Sequence, residues 1–227
     1  MNGATSLRSA SAMSDLPGRL ANYSKKEVIF QPFSLSQNLY RIQSGKIKLY
    51  KHGEDGRKTI LTMLGEGDFF SNIARFSLDD EGVYAEAIDE TILRIISLKQ
   101  LDSLSVSQPA FLSELFYTLN QHMKQRNMFL ERIMYAPVKK RILYLMSFLM
   151  KNFGEKQGRF MKLTVPLTHQ DIASFIGSTR ETVTSLTKEL ITEGHIQKKD
   201  KHYLVMGGGW DKTKKPPNKD EHFSVGT

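Results

Sequence analysis

The 227-residue chain contains no cysteine. That excludes disulfides, Cys-type zinc sites and Cys-ligated iron–sulfur clusters, and it suits a cytoplasmic protein. Long apolar runs are missing too. The longest, Ile142–Met150, is interrupted by Ser147 and falls far short of the roughly 20 residues that span a bilayer. Residues 1–18 are small and polar, so neither a secretory signal nor a membrane partner is expected. No Walker loop, zincin motif or dinucleotide fingerprint occurs. His169, Asp171 and Ser174 are close in sequence, but on one short helix they cannot form a relay beside an oxyanion site. The chain is therefore read as a non-enzyme with no metal and no cofactor.

What is present is a basic surplus confined to one part of the chain. Residues 1–106 carry 13 Lys and Arg against 13 Asp and Glu, whereas residues 107–206 carry 15 against 8. A neutral half joined to a basic half is the charge layout of a sensor domain attached to a phosphate-binding domain.

The basic half contains the most specific pattern, Thr168-His-Gln-Asp-Ile-Ala-Ser-Phe-Ile-Gly177 followed by Ser178-Thr-Arg-Glu-Thr-Val-Thr-Ser-Leu186. Thr168 is an N-cap candidate, and Ile172 and Ile176 lie one turn apart. Gly177 can adopt the left-handed conformation that ends a helix. Ser178 then reads as the opening of a second helix, with Glu181 completing a capping box and Val183, Leu186 and Leu190 as its buried stripe. The other face presents Thr179, Arg180, Glu181, Thr184 and Ser185. Two short helices with a tight turn and a polar outer face form a helix-turn-helix, whose second helix enters the major groove. The bland alternative is a helical hairpin with a solvated face.

Along the rest of the chain, short alternating runs separated by turns fall at 27–30, 39–43, 46–50, 58–64, 83–87 and 91–97, which predicts an antiparallel β-roll. The Gly53–Gly56 stretch is a hairpin turn. From residue 110 the period changes: Leu112, Phe116, Leu119, Met123, Arg126, Leu130 and Ile133 recur at spacings of four and three, a heptad seam suited to a second helix. Leu115 broadens it toward the helix's own domain. Ala136-Pro137 should break the helix and act as a hinge. A helix over 138–153, a loop over 154–158 and a short strand over 163–166 lead into the helix-turn-helix. Behind it, 196–197 and 203–206 flank a basic wing tip. The expected layout is a mobile leader (1–18), a β-roll sensor domain (19–108), a dimerisation helix and hinge (109–136), a DNA-binding domain (137–206) and a disordered tail (207–227).

Three segments make the chain resemble the CRP/FNR family of bacterial transcription regulators: Gly45-Lys-Ile-Lys-Leu49, Gly67-Asp-Phe-Phe70 and Gly177-Ser-Thr-Arg-Glu-Thr-Val183. The resemblance covers roughly residues 25–206. It implies an α+β chain with an N-terminal cyclic-nucleotide-binding-type β-roll, a long dimerisation helix and a C-terminal winged helix-turn-helix. It further implies a homodimer on palindromic promoter DNA that recruits RNA polymerase, activating rather than repressing.

The departures from that pattern matter as well. Cyclic-AMP binders of the family carry a Gly-Glu pair after the Gly-Asp-Phe stretch and an Arg-Ser pair further on, where the arginine neutralises the cyclic phosphate. Here Ser71-Asn72 and Glu81-Gly82 stand in those places, with Asp79 and Asp80 alongside. A carboxylate in place of the cation repels a phosphate, so dependence on cyclic AMP is not expected. The possible effector-pocket residues are Asn72, Arg75, Arg126 and Asn127. The family's haem-binding type would need a histidine such as His52 or His122, but lone histidines are seldom ligands. Base reading is assigned to Arg180, Glu181, Thr184 and Ser185, with Arg180 suited to guanine and Glu181 to a cytosine amino group. Ser185 stands where the cyclic-AMP branch has a second arginine. Thr168, Gln170, Ser178, Thr179, Thr182, Lys199 and Lys201 are assigned to the DNA backbone. The competing function is an architectural, non-specific DNA-binding protein with a vestigial sensor domain.

Overall fold

The computed structural model describes residues 16–32, 37–72 and 82–206. The assigned leader (except 16–18), the tail, and Arg75, Asp79, Asp80 and Glu81 lie outside these residues. The chain forms two compact units that divide at Met128 and Phe129.

Among the described residues the first unit contains eight strands: β1 (Arg19–Tyr23), β2 (Val28–Phe30), β3 (Asn38–Ser44), β4 (Ile47–His52), β5 (Lys58–Leu64), β6 (Phe69–Ser71), β7 (Val83–Ala87) and β8 (Thr91–Ser97). They pair antiparallel into two four-stranded sheets, ordered β1-β8-β3-β6 and β2-β7-β4-β5. Alternation turns Ile42, Ile47, Leu93 and Ile95 into a shared core with Phe30, Tyr40 and Phe70. The Tyr40 and Phe70 rings stack 4.9 Å apart. Gly45, in the turn between β3 and β4, has φ of +91°, and an added Cβ would lie 2.5 Å from the Glu90 carbonyl oxygen. Only glycine fits there.

The sequence reading missed α1 (Leu98–Ser107), although its signal was present: Ser97 and Gln100 form a capping box. Helix α2 (Pro109–Met134) follows. Phe111 and Leu115 join Leu16, Leu39, Phe69, Ile96, Leu101 and Leu104 in a second core, and Leu112 packs against it. The rest of the seam faces outward, with Phe116, Leu119, Met123 and Leu130 exposed by 59, 37, 62 and 41%. Arg126 is exposed in the same row and Ile133 is half-buried.

The two histidines weighed as haem ligands have other partners. His52 meets the stacked Tyr50 and Tyr84 rings edge-on, at 5.5 and 5.3 Å. His122 on α2 bonds through Nε2 to Asp68 Oδ1 at 3.1 Å, while Asp68 Oδ2 accepts from the Gly65 amide at 2.8 Å. Among the described residues no group of His, Asp and Glu is arranged to hold a metal, and no helix is long and apolar enough to cross a membrane.

The second unit begins inside α2 because Phe129 packs on its own side of the break. Its ring stacks on Phe148 at 4.9 Å and meets Phe175 edge-on at 5.9 Å. Helix α3 (Val138–Phe153) starts at Pro137, as the X-Pro break predicts. The segment read as a loop at 154–158 is instead strand β9 (Gly154–Gln157), paired with β10 (Phe160–Leu163). Its lone polar residues show no alternation, so nothing marked it locally. Helices α4 (His169–Ile176) and α5 (Arg180–Thr192) come next, then β11 (Ile196–Lys199) and β12 (His202–Met206), completing the sheet β11-β12-β10-β9.

The His122–Asp68 bond gives the first unit a testable pH dependence. Hydrogen bonding to Asp68 raises the imidazole above its ordinary 6.5, against the opposing effect of burial. The protonated form is favoured in the folded state, so the stabilisation is complete below pH ~6.5 and is lost as pH rises through the higher folded value. Thermal unfolding followed from acid to alkaline pH should show this loss in the wild type and a flatter profile in His122→Gln. Identical profiles would mean that the bond contributes nothing.

Candidate nucleic-acid interface

Helix α4 begins where the sequence places it. The Thr168 hydroxyl accepts from the Asp171 amide at 3.0 Å, and Asp171 Oδ2 accepts from the Thr168 amide at 3.0 Å. Ile172 and Ile176 are fully buried. Gly177 ends the helix at φ 64° and ψ 55°, and the Ser178 amide donates to the Ala173 carbonyl at 3.0 Å.

Helix α5 starts one residue later than the sequence reading has it. Its N-cap is Thr179, whose hydroxyl accepts from the Thr182 amide at 3.2 Å. The two threonine hydroxyls also bond to each other at 2.9 Å. Ser178 is therefore no cap, and Glu181 lies in the first turn rather than closing a capping box. Acidic charge is favourable there in any case. The buried stripe is Val183, Thr187 and Leu190, not Val183, Leu186 and Leu190: Leu186 is half-buried, while Thr187 is 1% exposed. The Thr187 hydroxyl has no hydrogen-bond partner.

This arrangement leaves Thr179, Arg180, Glu181 and Thr182 exposed around the start of α5 and Ser185 exposed one turn on. Gln170 is exposed on α4, and Lys199 and Lys201 are exposed on the wing. The first turn of α5 offers a guanidinium and a carboxylate side by side, groups suited to base edges. Thr184 differs from the other assigned base readers. Its hydroxyl donates to the Arg180 carbonyl at 2.7 Å and faces His169 Nδ1 at 2.8 Å. Its one hydrogen is spent on the carbonyl, so Nδ1 is the donor to Thr184 Oγ1. That hydroxyl is already occupied holding α4 to α5.

His169 is the residue that sequence reasoning undervalued. It links the two helices, and burial together with the charges of Lys198, Arg180 and Lys188 holds its imidazole below the ordinary 6.5. The charges of three cations on α5 and the wing are thus felt at this ring, a positive field that suits phosphate. Only the fold brings Lys198 and Lys188 to this place, so spacing alone could not reveal it.

The assigned effector group Asn72 is part of the strand pairing. Its side-chain oxygen accepts from the Asn38 amide at 3.0 Å, and Ser71 Oγ donates to the Asn38 carbonyl at 3.1 Å. Arg126 and Asn127 are both exposed on α2.

The field around His169 can be tested directly. In the free protein its imidazole should titrate below pH 6.5, and Lys198→Ala should move that titration upward. NMR of the ring nitrogens reads both. A titration unmoved by the substitution would mean that the wing charge is not felt at His169.

Comparison with known proteins agrees with this geometry. The profile for the cyclic nucleotide-binding domain matches residues 20–107, and that for the Crp-like helix-turn-helix domain matches residues 141–206. The CRP-like cAMP-activated global transcriptional regulator of Mycobacterium tuberculosis is 27% identical over 81% of this chain and 82% of its own. The nitrogen fixation regulation protein FixK of Rhizobium meliloti is 26% identical over 81% of each chain. In fold, the chain is similar to the c-di-GMP-responsive global regulator CLP of Xanthomonas campestris, with a TM-score of 0.71 at 21% identity, covering 84% of this chain and 94% of that one. A nucleotide-binding-type roll followed by a helix-turn-helix with an exposed recognition face places the chain in the CRP/FNR family of DNA-binding transcription regulators.

Proposed function

We propose that the protein is a homodimeric activator that reads a palindromic promoter site in the cytoplasm and recruits RNA polymerase without cyclic AMP. The observation that carries this reading is the recognition helix. Its apolar stripe is buried, and its first turn holds Arg180 and Glu181 in solvent. In this reading Arg180 takes a guanine and Glu181 a cytosine amino group, with Ser185 contributing a weaker contact. Thr184 contributes through its methyl group, since its hydroxyl is occupied. Thr168, Gln170, Ser178, Thr179, Thr182, Lys199 and Lys201 follow the phosphates, and His169 joins them.

Dimerisation is supported by the outward row on α2. Large side chains exposed in one line form an apolar patch that a soluble protein covers. Burying each is worth about 1.5–3 kcal/mol. Phe116, Leu119, Met123, Leu130 and Ile133 supply the seam, Arg126 interrupts it and sets register, and Leu112 contributes its outer edge. Replacing Leu119 and Leu130 together by Asp should give a monomer that no longer binds operator DNA. A double variant that still sediments as a dimer would place the seam elsewhere.

Independence from cyclic AMP is supported by the residues that stand where cyclic-AMP binders hold the nucleotide. Asn72 is engaged with Asn38, and the sequence offers Glu81 where a cation is needed. One hydrogen bond from an amide does not replace a guanidinium–phosphate pair. Arg126, Asn127 and Arg75 remain as the groups through which a different effector would act. Calorimetry should detect no micromolar binding of cyclic AMP, and operator affinity should be unchanged by it. Micromolar binding with a large gain in affinity would overturn this reading.

Arg180→Ala tests base reading. It should cost about 1–3 kcal/mol on the cognate site and relax selection at one base pair. Equal losses on cognate and random DNA would make Arg180 a phosphate contact only, the behaviour of an architectural protein.

A further inference from the structure

The bond between His169 and Thr184 holds α4 to α5, and it also fixes where the imidazole keeps its hydrogen. The Thr184 hydroxyl has one hydrogen, which goes to the Arg180 carbonyl at 2.7 Å. Its oxygen can then only accept, so His169 Nδ1, 2.8 Å away, carries the hydrogen of that bond. A neutral imidazole has a single N–H. Nε2 is therefore the bare nitrogen, an acceptor, and it has no hydrogen-bond partner among the described residues.

The surroundings keep the ring in this neutral form. His169 is the first residue of α4 and is half-buried. Burial disfavours the charged ring, and Lys198 on β11 with Arg180 and Lys188 on α5 disfavour it further. On its own helix the neighbouring carboxylate is Asp171, whose Oδ2 accepts from the Thr168 amide at 3.0 Å. The same three cations attract phosphate, and Thr168 and Gln170 on either side of His169 are exposed. A phosphate oxygen arriving at Nε2 of the neutral ring would meet a lone pair. Two acceptors do not bond.

We infer that His169 engages the DNA backbone only by taking up a proton at Nε2, so that each bound subunit draws one proton from solvent. The protonated ring donates from both nitrogens, Nδ1–H to Thr184 and Nε2–H to a phosphate oxygen, and the second bond is charge-assisted. The competing arrangement is a neutral ring with its hydrogen on Nε2. It requires the Thr184 hydroxyl to leave the Arg180 carbonyl and donate to Nδ1 instead, and it sets no positive charge against the phosphate. With proton uptake, affinity is full below the titration of the free ring, which lies under 6.5. It falls as pH rises toward the higher value that the phosphate gives the ring. The inference rests on the path of the phosphates past α4 proposed above.

The test measures affinity between acid and mildly alkaline pH at constant salt, on a palindromic duplex selected by the wild type and on a random one. Wild type is compared with His169→Gln, whose amide donates a hydrogen bond without titrating. Wild-type affinity should fall with rising pH by up to ~10-fold per pH unit for each bound subunit, the limit for one proton. The slope for His169→Gln should be flatter by that amount. NMR of the ring nitrogens at neutral pH reads the proton itself: the free ring should carry one hydrogen and the DNA-bound ring two. Equal slopes in the two proteins, or a bound ring with one hydrogen, would overturn the inference. If His169→Gln does not fold, the NMR result alone decides. The random duplex keeps two failures apart, because a phosphate contact is blind to sequence. Equal slopes with the selected duplex still preferred would overturn proton uptake and leave base reading intact. A slope difference on both duplexes, with no preference between them, would overturn base reading and support proton uptake.

Discussion

The left-handed turn at Gly177 is the constraint on which the DNA-reading half depends. A Cβ at this position would meet nothing within 4 Å, so space does not demand glycine. The backbone angle does, because a residue with a side chain pays about 1–2 kcal/mol in that conformation. The turn brings α4 against α5, so that Ile172 and Ile176 bury with Val183 and Leu190. It also leaves the Ile176 carbonyl open to Arg141 and puts Thr184 within reach of His169. The packing of α4 on α5 and the direction of the first turn of α5 both follow from the path the chain takes at this residue.

Electrostatics then adapts this scaffold to DNA. The positive groups that depress the His169 titration sit on α5 and on the wing, elements separated in sequence and joined by the sheet. Lys139 pairs with Glu189 and Glu193, which ties α3 to the far end of α5 and places those carboxylates away from its N-terminal turn.

Much of this was legible in the sequence, for identifiable reasons. Helix α3 was readable to the residue because its amphipathic run lies between a proline and a glycine. The strands β5, β7 and β8 were readable because each is a short apolar-rich run bounded by turns. The cap at Thr168 and the turn at Gly177 were readable because each rests on local chemistry. Where two adjacent residues offer the same chemistry, sequence cannot choose: Ser178 and Thr179 both cap well, and the backbone selected Thr179. The stripe of α5 was misread because Thr187 is polar and Leu186 is not, yet the helix rotates Thr187 into the core. The edge strand β1 owes its state to the distant β8, and the edge strand β9 to the neighbouring β10, rather than to their own patterns. The bonds of His169 to Thr184 and of Arg141 to the Ile176 carbonyl span 15 and 35 positions, which no spacing rule encodes.

The central claim is sequence-specific recognition of an inverted repeat by a paired winged helix-turn-helix that needs no nucleotide. Enrichment of bound duplexes from a random pool, with purified protein and no small molecule added, tests it most directly. The account predicts an inverted repeat with a guanine fixed in each half-site and the two halves about one helical turn apart, roughly 10 base pairs centre to centre. A pool that remains random while binding weakens steeply with salt would contradict it, because that is the signature of phosphate contact alone.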